Sequence, residues 1–270
     1  MRPAIFAILM LGLCGLGHAQ KVRFNPLDKS EMVDRARNAP QNDRDRAARL
    51  ESWFHTHGCG GSSFHEQQAE NSQAPNLVCD LNPDAEETII IAAHYAVPPA
   101  NRNAIDDWSS ASLLPALYQC LKGVKRRHHF VFVEFGDAGT EAGEEYFLSH
   151  RTDTEIRNTE AVINLDALGF SPTKIWASHS DKDLVHSLMI MVYALKLPAS
   201  QVDISSLESD QTQPFVQRKI PQITLHSFAK SHVEGTSRMQ FRPGNFYDSY
   251  KLLCGYVAYL DASLKRSHGE

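Results

Sequence analysis

The run Thr88-Ile89-Ile90-Ile91-Ala92-Ala93 constrains this chain more than any other segment. A continuous apolar stretch, β-branched at its centre and followed at once by His94, reads as a strand covered on both faces. Such a strand needs one helical layer above it and another below. The pattern recurs at Phe130 to Phe135, Ala161 to Leu165 and Gln222 to Leu225, with strands also at Asn76 to Leu81 and Lys174 to Ala177. Helical spacing fills the intervals, over Asp43 to His57, Ser109 to Leu121, Thr140 to Leu148, Asp181 to Leu195 and Phe246 to Leu264. Alternation of this kind specifies the α/β class, as a three-layer α/β/α sandwich around a mixed, mostly parallel sheet. A chain of 270 residues suits one such domain, read here as residues 43–265.

The first 19 residues stand apart. Arg2 supplies a positive start, Ala4 to Leu16 is almost wholly apolar, and Gly17-His18-Ala19 precedes Gln20. This reads as a secretory signal peptide, which implies a secreted or periplasmic protein. Residues 20–42 are polar and are expected to be loosely ordered. Past the leader, four cysteines admit three pairings in an oxidising compartment. Cys59 and Cys79 flank a polar loop and are the favoured bridge, whereas Cys120 and Cys254 sit in apolar helical patterns as buried thiols. A formal net charge of -5 gives no basic field, so nucleic acid is not an expected partner. No run beyond residue 20 is long and apolar enough to make a membrane helix.

What ends each buried strand carries the functional reading. His94 follows Ala93, Asp137 follows Phe135-Gly136, Asp166 follows Leu165, and His226 follows Leu225. Open α/β sheets bind ligands at the carboxyl ends of their strands. Imidazoles and carboxylates delivered to one such edge are the ligand types that zinc accepts. Taken singly, each is equally a hydrogen-bonded boundary residue or a helix cap.

Taken together, three segments resemble the successive motifs of metallopeptidase family 28. They are Ile89-Ile90-Ile91-Ala92-Ala93-His94-Tyr95, Asp106-Asp107-Trp108-Ser109-Ser110 and Val162-Ile163-Asn164-Leu165-Asp166-Ala167-Leu168-Gly169. Ser209-Asp210 with Pro214-Phe215, and Ile220-Pro221-Gln222-Ile223-Thr224-Leu225-His226-Ser227, extend the similarity across residues 45–262. That family holds co-catalytic zinc aminopeptidases and glutaminyl cyclases. The resemblance implies a zinc-aminopeptidase-like fold and a peptide or peptide-like substrate. It makes His94 the first metal ligand, Asp106 the bridging carboxylate, Asp166 the partner ligand of His94 and His232 the last histidine. His226 looks like a strand-end residue of the same motif.

The departures from the family pattern are as informative. The family's His-x-Asp is here His94-Tyr95-Ala96, so the carboxylate that would orient the ligand is missing; such losses cost about 10–100-fold in affinity or activity. After Phe135 the family places two adjacent glutamates, a general base and a zinc ligand. One alignment puts Asp137 at the base and Ala138 at the ligand, a second puts Ala138 and Gly139 there, and a third offers Thr140-Glu141. The first reading makes Asp137 the catalytic base. His94, Asp106 and Asp166 then complete one zinc site, while a second zinc would keep only Asp106 and His232, fewer than the three ligands of an ordinary catalytic zinc. The implied function is aminopeptidase-like hydrolysis of peptide N-termini; the alternative is a catalytically impaired pseudopeptidase that binds peptides or one metal. Glutaminyl cyclases rely on the zinc site that is broken here. Glu144 and Glu145 read as an exposed helix face. Lys125-Arg126-Arg127 with His128 and His129 reads as a solvated loop at the far edge of the sheet.

Overall fold

The computed structural model describes residues 9–10, 21–69, 72, 74–97, 105–137, 140–202, 212–228 and 240–264, with backbone alone at 9, 10, 21, 105 and 106. Two-residue strands β1 (Leu9–Met10) and β2 (Lys21–Val22) pair with each other. The main sheet has eight strands. Its order is β3 (Phe64–Gln67), β4 (Asn76–Leu81), β6 (His129–Phe135), β5 (Thr88–His94), β7 (Thr159–Asp166), β10 (Gln222–His226), β8 (Thr173–Trp176) and β9 (Ala199–Val202). The four central strands β6, β5, β7 and β10 are mutually parallel. Strands β4 and β8 join them antiparallel. The sheet is therefore mixed, as the alternation of apolar runs implied.

Every residue of β5 is buried, and its side chains divide between two cores. Ile89, Ile91 and Ala93 face the larger cluster, whose helical cover is α1 (Lys29–Arg37), α4 (Leu114–Leu121), α7 (Lys182–Leu195) and α9 (Pro243–Ser263). Ile90 and Ala92 face the smaller one, under α5 (Ala142–Ser149) and α8 (Gln213–Gln217). Burying an isoleucine side chain contributes roughly 1.5–3 kcal/mol, so this run alone explains why β5 is central. Helix α2 (Asp43–Thr56) is capped by the Asn42 side chain and leads into Cys59, which is bridged to Cys79 of β4. Cys120 and Cys254 are free and buried. Among the described residues, no helix is long and apolar enough to cross a membrane.

The structure departs from the sequence reading at several elements. Residues 29–37 of the polar N-terminal segment form α1, with Met32, Val33 and Ala36 in the core. Three apolar positions in nine residues are too few to register as a stripe. The helix expected over Ser109 to Leu121 is two helices, α3 (Ile105–Ala111) and α4, because Pro115 lacks the donor and would crowd the carbonyl of Ala111. Strands β3 and β9 went unread, being short edge strands of partly exposed residues. The basic stretch before β6 is solvated only in part, since Lys125 and Arg127 are exposed while Arg126 and His128 turn inward. Arg126 and His128 are 6% and 3% exposed.

His128 bonds to Asp261 of α9 at 3.1 Å and to Glu160 of β7 at 3.0 Å, clamping the far edge of the sheet to the C-terminal helix. Burial alone would lower the His128 pKa, but the hydrogen bonds and fields of Asp261 and Glu160 outweigh it and hold it at about 9. The folded value lies above the unfolded one, so this stabilisation is complete below about pH 6.5 and is lost as pH rises through about 9. Urea unfolding of His128→Gln and the parent at pH 6 and pH 9.5 is expected to show a gap that narrows at the higher pH. A gap that stays constant would show that the clamp holds no extra proton.

Candidate metal centre

Because β5, β7 and β10 run parallel in register, His94, Asp166 and His226 end neighbouring strands at one level. Ala93 pairs with Leu165, and Asp166 pairs with His226. The same alternation that buries Ile90 and Ala92 turns His94 toward α5. There its Nε2 meets Glu144 Oε1 at 2.7 Å, and Asp137 Oδ1 lies 4.0 Å away. All three side chains are buried: His94 is 7% exposed, Asp137 5% and Glu144 0%. Each offers one ligand atom, and those atoms lie within 4.8 Å of one another, a group that could hold a metal ion.

Backbone packing brings these carboxylates in. Gly136 lies so close to the backbone of Ala74 and Pro75 that an added Cβ would sit 2.4 Å from the Pro75 oxygen. Gly143 lets α5 approach, since a Cβ there would sit 2.6 Å from Asp137 Oδ1 and 2.8 Å from Asn76 Oδ1. Asn76 ties the two segments, accepting from Gly136 N and donating to Gly143 O. Thr140 donates its hydroxyl to Asp137 Oδ2 at 2.7 Å. That leaves Asp137 Oδ1 and Glu144 Oε2 buried without a hydrogen-bond partner. Two such oxygens beside an imidazole are what a cation site presents before it is filled, because buried acceptors are otherwise satisfied.

The electrostatics follow. Burial alone would drive the His94 imidazole down, but the field and hydrogen bond of Glu144, with Asp137 and Asp107 behind them, hold it at about 9. On the reverse face of β6, burial pushes the Glu134 carboxyl well above the ordinary carboxylate range.

Of the residues singled out from sequence, the structure brings His94 and Asp137 together. Asp166 ends the adjacent strand but does not join their group. Asp106 lies in the first turn of α3, with its side chain outside the description, and His232, Ala138 and Gly139 fall outside the described residues. Glu141 is exposed at the N-cap of α5. Glu144 corrects the sequence reading. It shares the buried face of α5 with Gly143, Phe147 and Leu148, whereas Glu145 faces outward and pairs with Arg218 at 2.8 Å. The available signal was positional: Glu144 falls three residues before Phe147 and four before Leu148, on their side of the helix.

The model of peptidase family M28 matches residues 76–249, well over half of the chain. This chain belongs to peptidase family M28. Solved structures agree on the fold. The LapA aminopeptidase of Legionella pneumophila superposes with a TM-score of 0.73 at 14% identity, over 88% of this chain and 73% of that one. A glutaminyl cyclase from Fimbriiglobus ruber gives 0.67 at 16% identity, over 91% and 99%. BSAP, a zinc aminopeptidase from Bacillus subtilis, gives 0.58 at 18% identity, over 72% and 52%. No curated protein sequence matches. Within that M28 scaffold, His94 stands at the end of β5 and Glu144 of α5 is the carboxylate that meets it.

Replacing Glu144 by Gln removes the leading influence that raises His94 and leaves burial, which lowers it. The His94 imidazole of metal-free Glu144→Gln protein is expected to titrate at least about one pH unit lower, read from its ring proton by NMR. An unchanged titration would show that the 2.7 Å contact does not form in solution.

Proposed function

We propose that this M28 protein is a metal-dependent hydrolase acting at peptide N-termini, with one zinc-class ion at the strand-end centre. The observation that carries this reading is the buried group of His94, Asp137 and Glu144, with an unpartnered oxygen on each carboxylate. His94 and Glu144 hold the ion; the family pattern adds Asp166 and Asp106 to that pair, and His232 as a further ligand. Glu144 thereby supplies, from α5, a carboxylate of the kind lost at Ala138. A bound zinc ion would polarise the scissile carbonyl and lower the pKa of its water. Asp137 is the base: Thr140 fixes Oδ2, which leaves Oδ1 to take the proton of the attacking water. Its side chain is one methylene shorter than the family's glutamate, so turnover below that of a complete two-zinc centre follows from reach alone. An exported protein would meet peptide N-termini outside the cytosol, consistent with the leader-like residues 1–19.

One observation favours a second reading, a peptide-binding protein without turnover. The 2.7 Å bond to Glu144 already occupies the imidazole nitrogen that a metal would need. A cation must displace that proton, so affinity is expected to rise with pH, by up to tenfold per unit below about 9. Zinc titration against a competing chelator at pH 6, 7 and 8 checks the slope. Purified protein is expected to hold about one zinc ion and to release 4-nitroaniline from aminoacyl 4-nitroanilides, with both lost in His94→Ala. Full metal content without turnover would move the assignment to the second reading. Absence of metal at every pH would reject the first.

A further inference from the structure

Helices α4 and α9 lie side by side in parallel register. Tyr250 donates its hydroxyl to Ala116 O at 3.2 Å, a contact between residues 134 apart in sequence. Beyond the end of α4 at Leu121, the connecting chain also meets α9: Asp261 accepts from Arg127 N at 2.8 Å and lies 3.7 Å from Arg126. Cys120 and Cys254 are separated by the same 134 positions, each four residues beyond its partner in the Ala116–Tyr250 contact. Positions i and i+4 share a helix face, so the two cysteines occupy facing sites one turn on. Cys120 is 1% exposed and Cys254 0%. Burial pushes the Cys254 thiol well up, and the hydrogen bond that its S–H donates to the Cys120 sulfur adds to it, which places the sulfurs in contact.

We propose that Cys120 and Cys254 form a second disulfide, one that ties the C-terminal helix to α4. The oxidant is a disulfide of the exchange class, glutathione disulfide in the test below. The Cys120 thiolate attacks one of its sulfurs, forming a mixed disulfide and expelling one glutathione thiolate. Cys254 then attacks Cys120 Sγ, forming the intramolecular bond and expelling the second glutathione. Two cysteine thiols are oxidised, one glutathione disulfide is reduced to two thiols, and the cysteine protons end on the departing thiolates. Since both sulfurs are buried in the native packing, the exchange belongs to folding, before α9 closes over α4. Cross-linking residues so far apart in sequence restricts the unfolded chain strongly.

The test refolds the full chain from denaturant in a glutathione redox buffer, alkylates it under denaturing conditions and maps its peptides by mass. The Cys59–Cys79 peptide is the internal control for oxidation. A cross-linked Cys120–Cys254 peptide is expected, with neither residue alkylated. The oxidised protein is also expected to melt at least about 5 °C above oxidised C120S/C254S, and the difference is expected to vanish with reductant. Recovery of the control bridge with Cys120 and Cys254 both alkylated would overturn the proposal, as would either cysteine joined to a different partner.

Discussion

Strand β5 is hydrogen-bonded along both edges and covered on both faces, so the polar side chain at its end has little access to water. An imidazole left unpaired in such a place would cost about 1–3 kcal/mol. His94 therefore needs a partner from the layer above, and Glu144 is that partner. The requirement runs outward from there. Helix α5 must lie close enough for a glutamate to reach, which demands Gly143 at the contact, and β6 must turn tightly against Ala74 and Pro75, which demands Gly136. Asn76 fixes both glycines to β4. The centre is a consequence of how the central strand is buried.

The segment leaving His94 is held just as firmly, by a different layer. Arg46 of α2 is 0% exposed and donates to Tyr95 O and Ala96 O at 2.8 and 2.9 Å. Asp43 accepts from Val97 N at 2.5 Å. The Arg46 guanidinium also lies 5.6 Å from the centre of the Trp108 ring, whose Nε1 donates to Arg35 O in α1. Ala96 stands where the family pattern has the carboxylate that orients the ligand, and here the backbone of residues 95–97 is fixed instead by a guanidinium and a carboxylate on α2. The cation satisfies several carbonyls at once, which is how a buried arginine becomes tolerable. The N-terminal helices thus belong to the architecture of the centre.

The fold was legible because its signal is collective. Four apolar runs of strand length, separated by helical spacing, admit few arrangements, and the strand ends follow from that arrangement. His94 and Asp137 could be located for the same reason. Glu144 could not, because charge on a helix usually marks the solvent face, and only the depth of α5 against β5 shows otherwise. The basic stretch before β6 misled in the same way. Arg126 and His128 are paired by Asp261, more than a hundred residues further along the chain, and no local pattern announces such a partner. Helix α1 was invisible because its contribution is a few side chains, Met32, Val33 and Ala36 in the core and Arg35 over the Trp53 ring, whose partners lie elsewhere in the chain.

The balance between proton and metal proposed for His94 rests on Asp137. In the metal-free centre an imidazolium offsets one of the two carboxylates beside it, and Glu144 takes that role through a direct bond. Asp137 is left 4.0 Å from the ring with Oδ1 unpartnered, a buried acceptor whose charge nothing in direct contact neutralises. On the reading proposed above, a divalent cation with a neutral imidazole would offset both carboxylates. If Asp137 were an apolar residue, the His94–Glu144 pair would be complete by itself and the closed arrangement would have no competitor. The unpaired oxygen is the physical reason to expect an open one.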